Sequence, residues 1–365
     1  MTGSDDDDAS RATGGGAVGG TLDDLGQVVG ELGGQRVLFL TDPDRRHLER
    51  ATAALAPGQT ASVFDGARVH VPGDTVDAAA RALDEAGADT LVTLGGGSAT
   101  GLGKVLRRDR AGLRFIAVPT TFAGSEQTRI WGMTREGEKQ TGRDESARPD
   151  RVIYDPELVA SLPRTLAVQS LSNALAHPVS ALSTGALEPG DAGAAEQAVD
   201  AVWSALIELV ALPTSAPAPG HQEARRQAQQ AAQRAAAQAA RILDRGTLGV
   251  HHRVAHLLGG RFELPHAALH AVLLVAFLDE LAARSPAVFA TVRRATRDPD
   301  PGGTLHDLLR RVEAPTSLEA LGRSWAEVDG ALAGAELPPE VRAWVERAWL
   351  GDRPSARHRR EDWGL

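Results

Sequence analysis

TLVTLGGGSATGLGK, running from Thr90 to Lys104, decides the fold. Thr90 to Leu94 is a short, uncharged run of the kind a strand buried on both faces requires. Three glycines follow at once, and what comes after them reads as a helix. A strand, a glycine turn and a helix in this order present the helix's positive N-terminal end to whatever sits in the turn. Gly95, Gly96, Gly97 and Ser98 are therefore candidates for backbone contact with a pyrophosphate. A plain strand-to-helix connection would use the same glycines, so the triplet alone does not distinguish the two.

The flanking sequence extends the pattern in both directions. Upstream, Thr21 to about Leu32 reads as a helix with Leu22, Leu25, Val28, Val29 and Leu32 on one face. Val37 to Leu40 is a buried strand ending at Thr41-Asp42-Pro43-Asp44, with a helix expected from about Arg45 to Leu55. Ala61 to Phe64 is the next strand, and Asp74 is expected to cap a helix through about Glu85. Downstream, Phe115 to Val118 is a strand running into PTTFAGSEQT (Pro119 to Thr128), where Thr120, Thr121 and Ser125 add hydroxyls. The segment from Trp131 to Arg148 reads as a hairpin or loop, and Val152 to Tyr154 as a last short strand. Such alternation predicts an α/β dinucleotide-binding domain built on a parallel sheet, with ligands at the carboxyl ends of its strands. Asp42 at one of those ends can accept from a ribose hydroxyl; as an exposed turn residue it would have no such part.

From Leu158 onward the pattern is almost entirely helical, so an all-α C-terminal domain is expected. The domain assignment is a disordered, acidic and glycine-rich leader over 1–20, the α/β domain over 21–162, a helical substrate domain over 163–352, and a frayed tail over 353–365. The Ala/Gln/Arg stretch from Glu223 to Leu243 should be helical but loosely packed. Asp298 to Gly303 reads as a Pro/Gly loop.

GVHHRVAHLLGGRFELPHAALH, Gly249 to His270, holds five of the eleven histidines: His251, His252, His256, His266 and His270. Four-residue spacing puts His252 and His256 on one face of a helix. Gly259-Gly260 is expected to end that helix, Phe262 to Leu264 to be an extended link, and Pro265 to start a second helix with His266 in its first turn. His252, His256 and His266 could then point into one space, which suits a metal, a proton relay or an anionic substrate. Asn173 and His177 repeat the four-residue spacing on an earlier helix. An amide oxygen is a weaker, neutral donor than a carboxylate, so a divalent ion would be poorly served at Asn173.

Composition excludes several function classes. A net charge of −9, with no Lys/Arg cluster interleaved with aromatics, argues against a nucleic-acid partner. Zero cysteine removes disulfides, thiolate metal sites and a cysteine nucleophile together. No apolar run reads as a membrane span and no signal-peptide core is present, so a cytoplasmic protein is expected.

Taken together, GGGSATGLGK, VPTTFAGSEQT with IWGMT, TGRD, VIYDPEL, LSNALAH, FDGARVHVP and the histidine stretch resemble the iron-containing alcohol dehydrogenase superfamily, in its maleylacetate reductase branch, from about Gly20 to Gly351. The resemblance implies an N-terminal dinucleotide-binding domain, a helical C-terminal domain of the dehydroquinate synthase-like architecture, and an active site in the cleft between them. It implies a homodimeric reductase of maleylacetate, or a related unsaturated keto acid, giving 3-oxoadipate with NADH or NADPH and without a required metal. Asn173 stands where metal-dependent relatives carry Asp; His177, His252 and His266 match the other metal-ligand positions, and His256 the histidine given a proton-transfer role. Gly96, Gly97 and Ser98 match the pyrophosphate loop, and Thr120 and Thr121 the nucleotide-contacting pair. Arg129, Lys139 and Arg143 could hold a substrate carboxylate. A metal-dependent alcohol dehydrogenase and a relative repurposed for non-redox work are the alternatives. The chain departs from the pattern at its first strand, expected before Gly15; at Ser180, where Glu is expected; at Arg129, where Pro is expected; at Val275-Ala276-Phe277, where a Pro-His pair is expected; and near the C-terminus, where AELPPEVRAW replaces an Asn/Pro-rich segment.

Overall fold

A computed structural model describes residues 17–18, 20–212 and 219–354. The chain divides after Ser161 into two compact units.

The first unit carries the strands β1 (Ala17–Val18), β2 (Arg36–Thr41), β3 (Thr60–Phe64), β4 (Thr90–Gly95), β5 (Arg114–Pro119), β6 (Ile130–Arg135), β7 (Glu138–Arg143) and β8 (Arg151–Val152). Its helices are α1 (Leu25–Glu31), α2 (Leu48–Ala53), α3 (Gly73–Glu85), α4 (Gly97–Arg108) and α5 (Pro156–Ala160). Six strands form one parallel sheet in the order β1-β8-β5-β4-β2-β3, and β6 and β7 form a separate antiparallel hairpin. Alternate residues of the strands feed two cores. Leu38, Leu40, Leu91 and Phe115 pack with the apolar sides of α3 and α4, while Val37, Phe39, Val92 and Ile116 pack with Leu22, Leu25 and Val29. Burial on both faces is why these strands read as continuous apolar runs rather than alternating ones.

Ala17 and Val18, assigned to the disordered leader, instead form an edge strand paired with Arg151 and Val152; pairing with the exposed edge of β8 orders them through backbone hydrogen bonds that need no particular side chains. Apart from Gly20, which is exposed, the remainder of the leader and the tail beyond Pro354 lie outside the described residues. The helix expected from Arg45 is confined to Leu48–Ala53, because Arg45 (φ 49°) and His47 (φ 65°) adopt left-handed conformations that no α-helix continues through. Pro72, not Asp74, takes the N-cap position of α3, and Asp74 pairs with Arg68.

The second unit is helical: α6 (Arg164–Ser183), α7 (Pro189–Ala211), α8 (Pro219–Arg245), α9 (Val250–Phe262), α10 (His266–Arg284), α11 (Pro286–Thr296), α12 (Pro301–Arg311), α13 (Trp325–Ala333) and α14 (Val341–Leu350). The expectation of loose packing for Glu223 to Leu243 fails. Ala228, Ala232, Ala235, Ala236, Ala239 and Ala240 are buried where α8 lies against α6 and α7, since small side chains let helix backbones approach closely in place of large interdigitating ones. Nor is Asp298 to Gly303 wholly a loop. Pro301 opens α12 at its first position, and the Asp300 carboxylate accepts from Gly303 N–H, so Gly302 and Gly303 fall inside the first turn. Among the described residues α10 is long and apolar enough to cross a membrane, contrary to the sequence reading, but 78% of its apolar window is buried inside this unit.

Candidate functional site

In the first unit the chain runs from β2 outward to β3, then crosses back to β4 and outward again through β5. The sheet order therefore reverses between β2 and β4, and such a switch point leaves a crevice at the strands' carboxyl ends. Asp42 follows β2 there, Gly95 ends β4, and Gly96 to Ser98 follow it. A Cβ on Gly95 would lie 3.1 Å from Asp42 Oδ2, and one on Gly96 would lie 3.0 Å from Thr121 Cγ2. Thr120 N–H donates to Gly95 O at 3.0 Å. A side chain at either glycine would crowd the residue facing it, so glycine eases the close approach of these loops. Gly96 is the N-cap of α4, so the free N–H groups of that helix's first turn begin at Gly97. Burial, reinforced by the Asp44 carboxylate, raises the Asp42 carboxyl above its ordinary range. Ser125 opens a short 3₁₀ turn whose carbonyl accepts from Lys104 Nζ at 2.7 Å.

Of the cations singled out in the sequence, Arg129 is paired with Glu145 at 3.3 Å. That loop charge has a local partner. Lys139 on β7 lies largely out of solvent, and burial lowers its pKa below the ordinary range.

In the second unit α6, α9 and α10 bring six imidazoles together. Ring centroids stand 5.4 Å apart for His177 and His252, 6.3 Å for His252 and His256, and 6.1 Å for His256 and His266. His270 was absent from the predicted site but is the hub: its ring is 4.3 Å from His266, 4.9 Å from His252 and 5.2 Å from His251. The signal that could have found it was present, since His266 and His270 repeat the spacing of His252 and His256. Asn173 lies one turn before His177 on α6, and its Oδ1 is buried with no hydrogen-bond partner among the described residues.

The cluster is graded. His256 and His266 are half-buried, whereas His177, His251, His252 and His270 are buried. Burial pushes His177 down to about 3 and His251 down to about 4, the nearby His270 backbone partly offsetting the second. His252 and His270 are pushed well below the imidazole range by burial, with the surrounding imidazoles adding to it. Four neutral imidazoles therefore stand behind two half-exposed ones.

Local structure explains how the helices converge. The Gly259-Gly260 pair does not end α9, which continues to Phe262 and stops where Glu263 turns left-handed at φ 51°. Gly259 is buried, so tertiary packing holds the helix through a pair that in isolation would favour its end. At the other end of α9, a Cβ on Gly249 would lie 2.5 Å from Ser180 Oγ and 2.8 Å from Ser180 O. This close approach accounts for glycine at 249. Gly249→Ala is expected to cost about 1–3 kcal/mol in denaturant unfolding by forcing α9 away from α6; unchanged stability would refute the contact. Val275-Ala276-Phe277 lets α10 run unbroken, and Phe277 packs 5.4 Å from His251 and 5.6 Å from Trp344, giving the cluster an apolar wall.

The chain also matches known proteins over most of its length. A family profile described as iron-containing alcohol dehydrogenase matches residues 17–156, and one described as its C-terminal domain matches residues 167–334. A maleylacetate reductase of Delftia acidovorans is 37% identical over 345 residues, covering 92% of this chain and 95% of the relative. Maleylacetate reductase 2 of Cupriavidus pinatubonensis is 38% identical over 351 residues, covering 92% and 94%. The crystal structure of maleylacetate reductase from Agrobacterium tumefaciens superposes with a TM-score of 0.79 at 31% identity, covering 93% of this chain and 97% of that one.

Proposed function

The chain belongs to the iron-containing alcohol dehydrogenase family, in its maleylacetate reductase branch, and is a nicotinamide-dependent oxidoreductase; we propose that it reduces maleylacetate to 3-oxoadipate, with NADH as the preferred donor and no required metal. The observation that carries the reading is the graded histidine cluster, in which His256 and His266 are half-buried against four imidazoles kept neutral by burial. Reduction of an unsaturated keto acid takes a hydride at one carbon and a proton at its neighbour. A nicotinamide nucleotide, when bound at the switch point, would supply the hydride. The N–H groups at the start of α4 would hold its pyrophosphate, with Thr120 and Thr121 beside them, and Asp42 would accept from its ribose. In this reading His256 delivers the proton, because a half-exposed imidazole can recharge from solvent while the buried ones resist protonation. His266, His252 and His177 hold the substrate's oxygens, and Asn173 presents its amide beside them.

The metal positions of the wider family correspond here to Asn173, His177, His252 and His266. Buried imidazoles whose nitrogens have no hydrogen-bond partner among the described residues, such as His177 Nδ1 and both nitrogens of His252, fit a divalent cation of borderline softness. An ion held by His177, His252 and His266 would act as a Lewis acid toward a carbonyl oxygen. Asn173 offers no charge to balance it, which supports turnover without one. The reading also takes the protein as a cytoplasmic homodimer; light scattering on the purified chain checks the dimer.

Mixing the protein with NADH and maleylacetate should oxidise NADH at a rate unaffected by chelator, and His256→Ala should lower kcat by about 10²–10⁴-fold. Absence of NADH oxidation would sink the reading. Asp42→Gly is expected to raise kcat/KM with NADPH relative to NADH, because the carboxylate facing the ribose repels a 2′-phosphate. An unchanged ratio would remove Asp42 from the nucleotide site.

A further inference from the structure

His251, His252 and His270 each offer a ring nitrogen, and these atoms all lie within 4.8 Å of one another. The residues are at most 2% exposed. Among the described residues no ring nitrogen of His252 or His270 meets a partner in hydrogen-bond geometry, and the one polar contact of the His251 ring is the His270 backbone. A buried polar group left unpaired is destabilising. Two imidazoles left so beside a third with a single backbone contact, walled by Phe277, form a concentration of unspent donor capacity that apolar side chains of the same size would avoid.

The chemistry of the donors narrows what could use it. An imidazole ring binds a metal through the nitrogen lone pair of its neutral form. The chain has no cysteine, so no thiolate competes for a soft ion, and the three donors are all nitrogen. Imidazole suits Zn²⁺, Cu²⁺, Ni²⁺ and Fe²⁺, whereas Mg²⁺, Ca²⁺ and Mn²⁺ want oxygen. Nitrogens around a tetrahedral Zn²⁺ stand about 3.3 Å apart, given bonds of about 2.0–2.1 Å. The trio would have to draw in by about 1.5 Å at its widest, a movement within reach of ring rotation about the side-chain torsions.

We propose that His251, His252 and His270 form a three-imidazole site for a divalent cation of borderline softness, with Zn²⁺ the best match, and with one coordination position left open. The set shares only His252 with the metal positions of the wider family and includes neither His177 nor His266. It arises because α9 carries two consecutive histidines and α10 places His270 one turn beyond His266. Three neutral ligands leave the ion's double charge uncompensated, so the open position favours an anion such as hydroxide or a carboxylate. Because His252 is also in the set proposed to hold the substrate, an ion here would withdraw it from the substrate, and the site is therefore tested by metal binding and not by turnover.

Crystals of the full-length, chelator-stripped protein soaked in Zn²⁺ test this without any variant. An anomalous difference peak at the zinc edge should lie within bonding distance of His251, His252 and His270. In solution, Co²⁺ should bind once per chain with the visible absorption of a four-coordinate site. His270→Phe should weaken that binding by at least about 100-fold, more than loss of an outer-shell partner would, while His266→Asn should retain it, both variants being checked for native circular dichroism. A peak on His177 and His266, Co²⁺ binding that follows His266 instead of His270, or no stoichiometric ion at all would each overturn the proposal.

Discussion

Chelator-stripped protein will lose stability steeply as pH falls below about 6.5, well before its carboxylates titrate. His177, His251, His252 and His270 all have folded-state values depressed by burial. The unfolded chain takes up these protons near the ordinary imidazole value, about 6.5, and the native chain does not. Stability is therefore fully present above that value and drains away as pH drops toward the folded values, about 3 for His177 and about 4 for His251. Each group contributes a slope of about 1.4 kcal/mol per pH unit, so the four together reach about 5 kcal/mol per pH unit at the steepest. Against a typical total of about 5–15 kcal/mol, that gradient unfolds the protein within about one to three pH units. Thermal melts from pH 7.5 to 4.5 read the effect. His251→Phe should flatten the curve by about a quarter, since it removes one of the four proton sinks. A melting temperature that stays level to pH 4.5 would show that the cluster protonates in the native state.

Lys104→Met should destabilise the first unit by about 2–4 kcal/mol and weaken nucleotide binding with it. The Lys104 side chain is fully buried on α4. Its ammonium donates to Ser125 O at 2.7 Å, Thr128 Oγ1 at 2.8 Å and Ile130 O at 2.6 Å. Methionine fills the volume but leaves acceptors buried without a donor, and that loss outweighs any gain from removing a charge. Ser125 O keeps a second donor in the Thr128 hydroxyl at 3.1 Å, which is why the figure is not higher. The three acceptors anchor the segment that leaves β5 through Thr120 and Thr121, so the damage should appear in the Kd for NADH more than in kcat at saturating cofactor. Denaturant unfolding and NADH fluorescence titration measure the two effects. A variant with wild-type stability and wild-type Kd would show that the ammonium holds nothing in place.

Much of the first unit is legible in one dimension because its determinants are local. Apolar runs of strand length, glycines at strand ends and helical stripes lie within a few residues of one another, and the turn at Gly95 to Ser98 is set by residues adjacent in the chain. The order β3-β2-β4-β5 that makes Asp42 and Gly95 neighbours is not local, and only the folded sheet shows it. Where local signals misled, a tertiary contact outweighed them. Ala17 and Val18 are ordered by a partner strand more than a hundred residues away, and α8 packs through alanines whose burial no hydrophobic stripe announces.

Residue spacing by itself determined that His252 and His256 share a helix face and that Asn173 and His177 share another, because helical geometry fixes neighbours three and four residues apart. Which faces meet was decided by packing. Gly249 against Ser180 brings α9 onto α6, Phe277 against His251 turns α10 inward, and the result recruits His251 and His270 into the cluster. Burial then sets their chemistry. Burial keeps these imidazoles neutral at pH values where exposed ones would be protonated, a property of the closed structure with no counterpart in the linear chain.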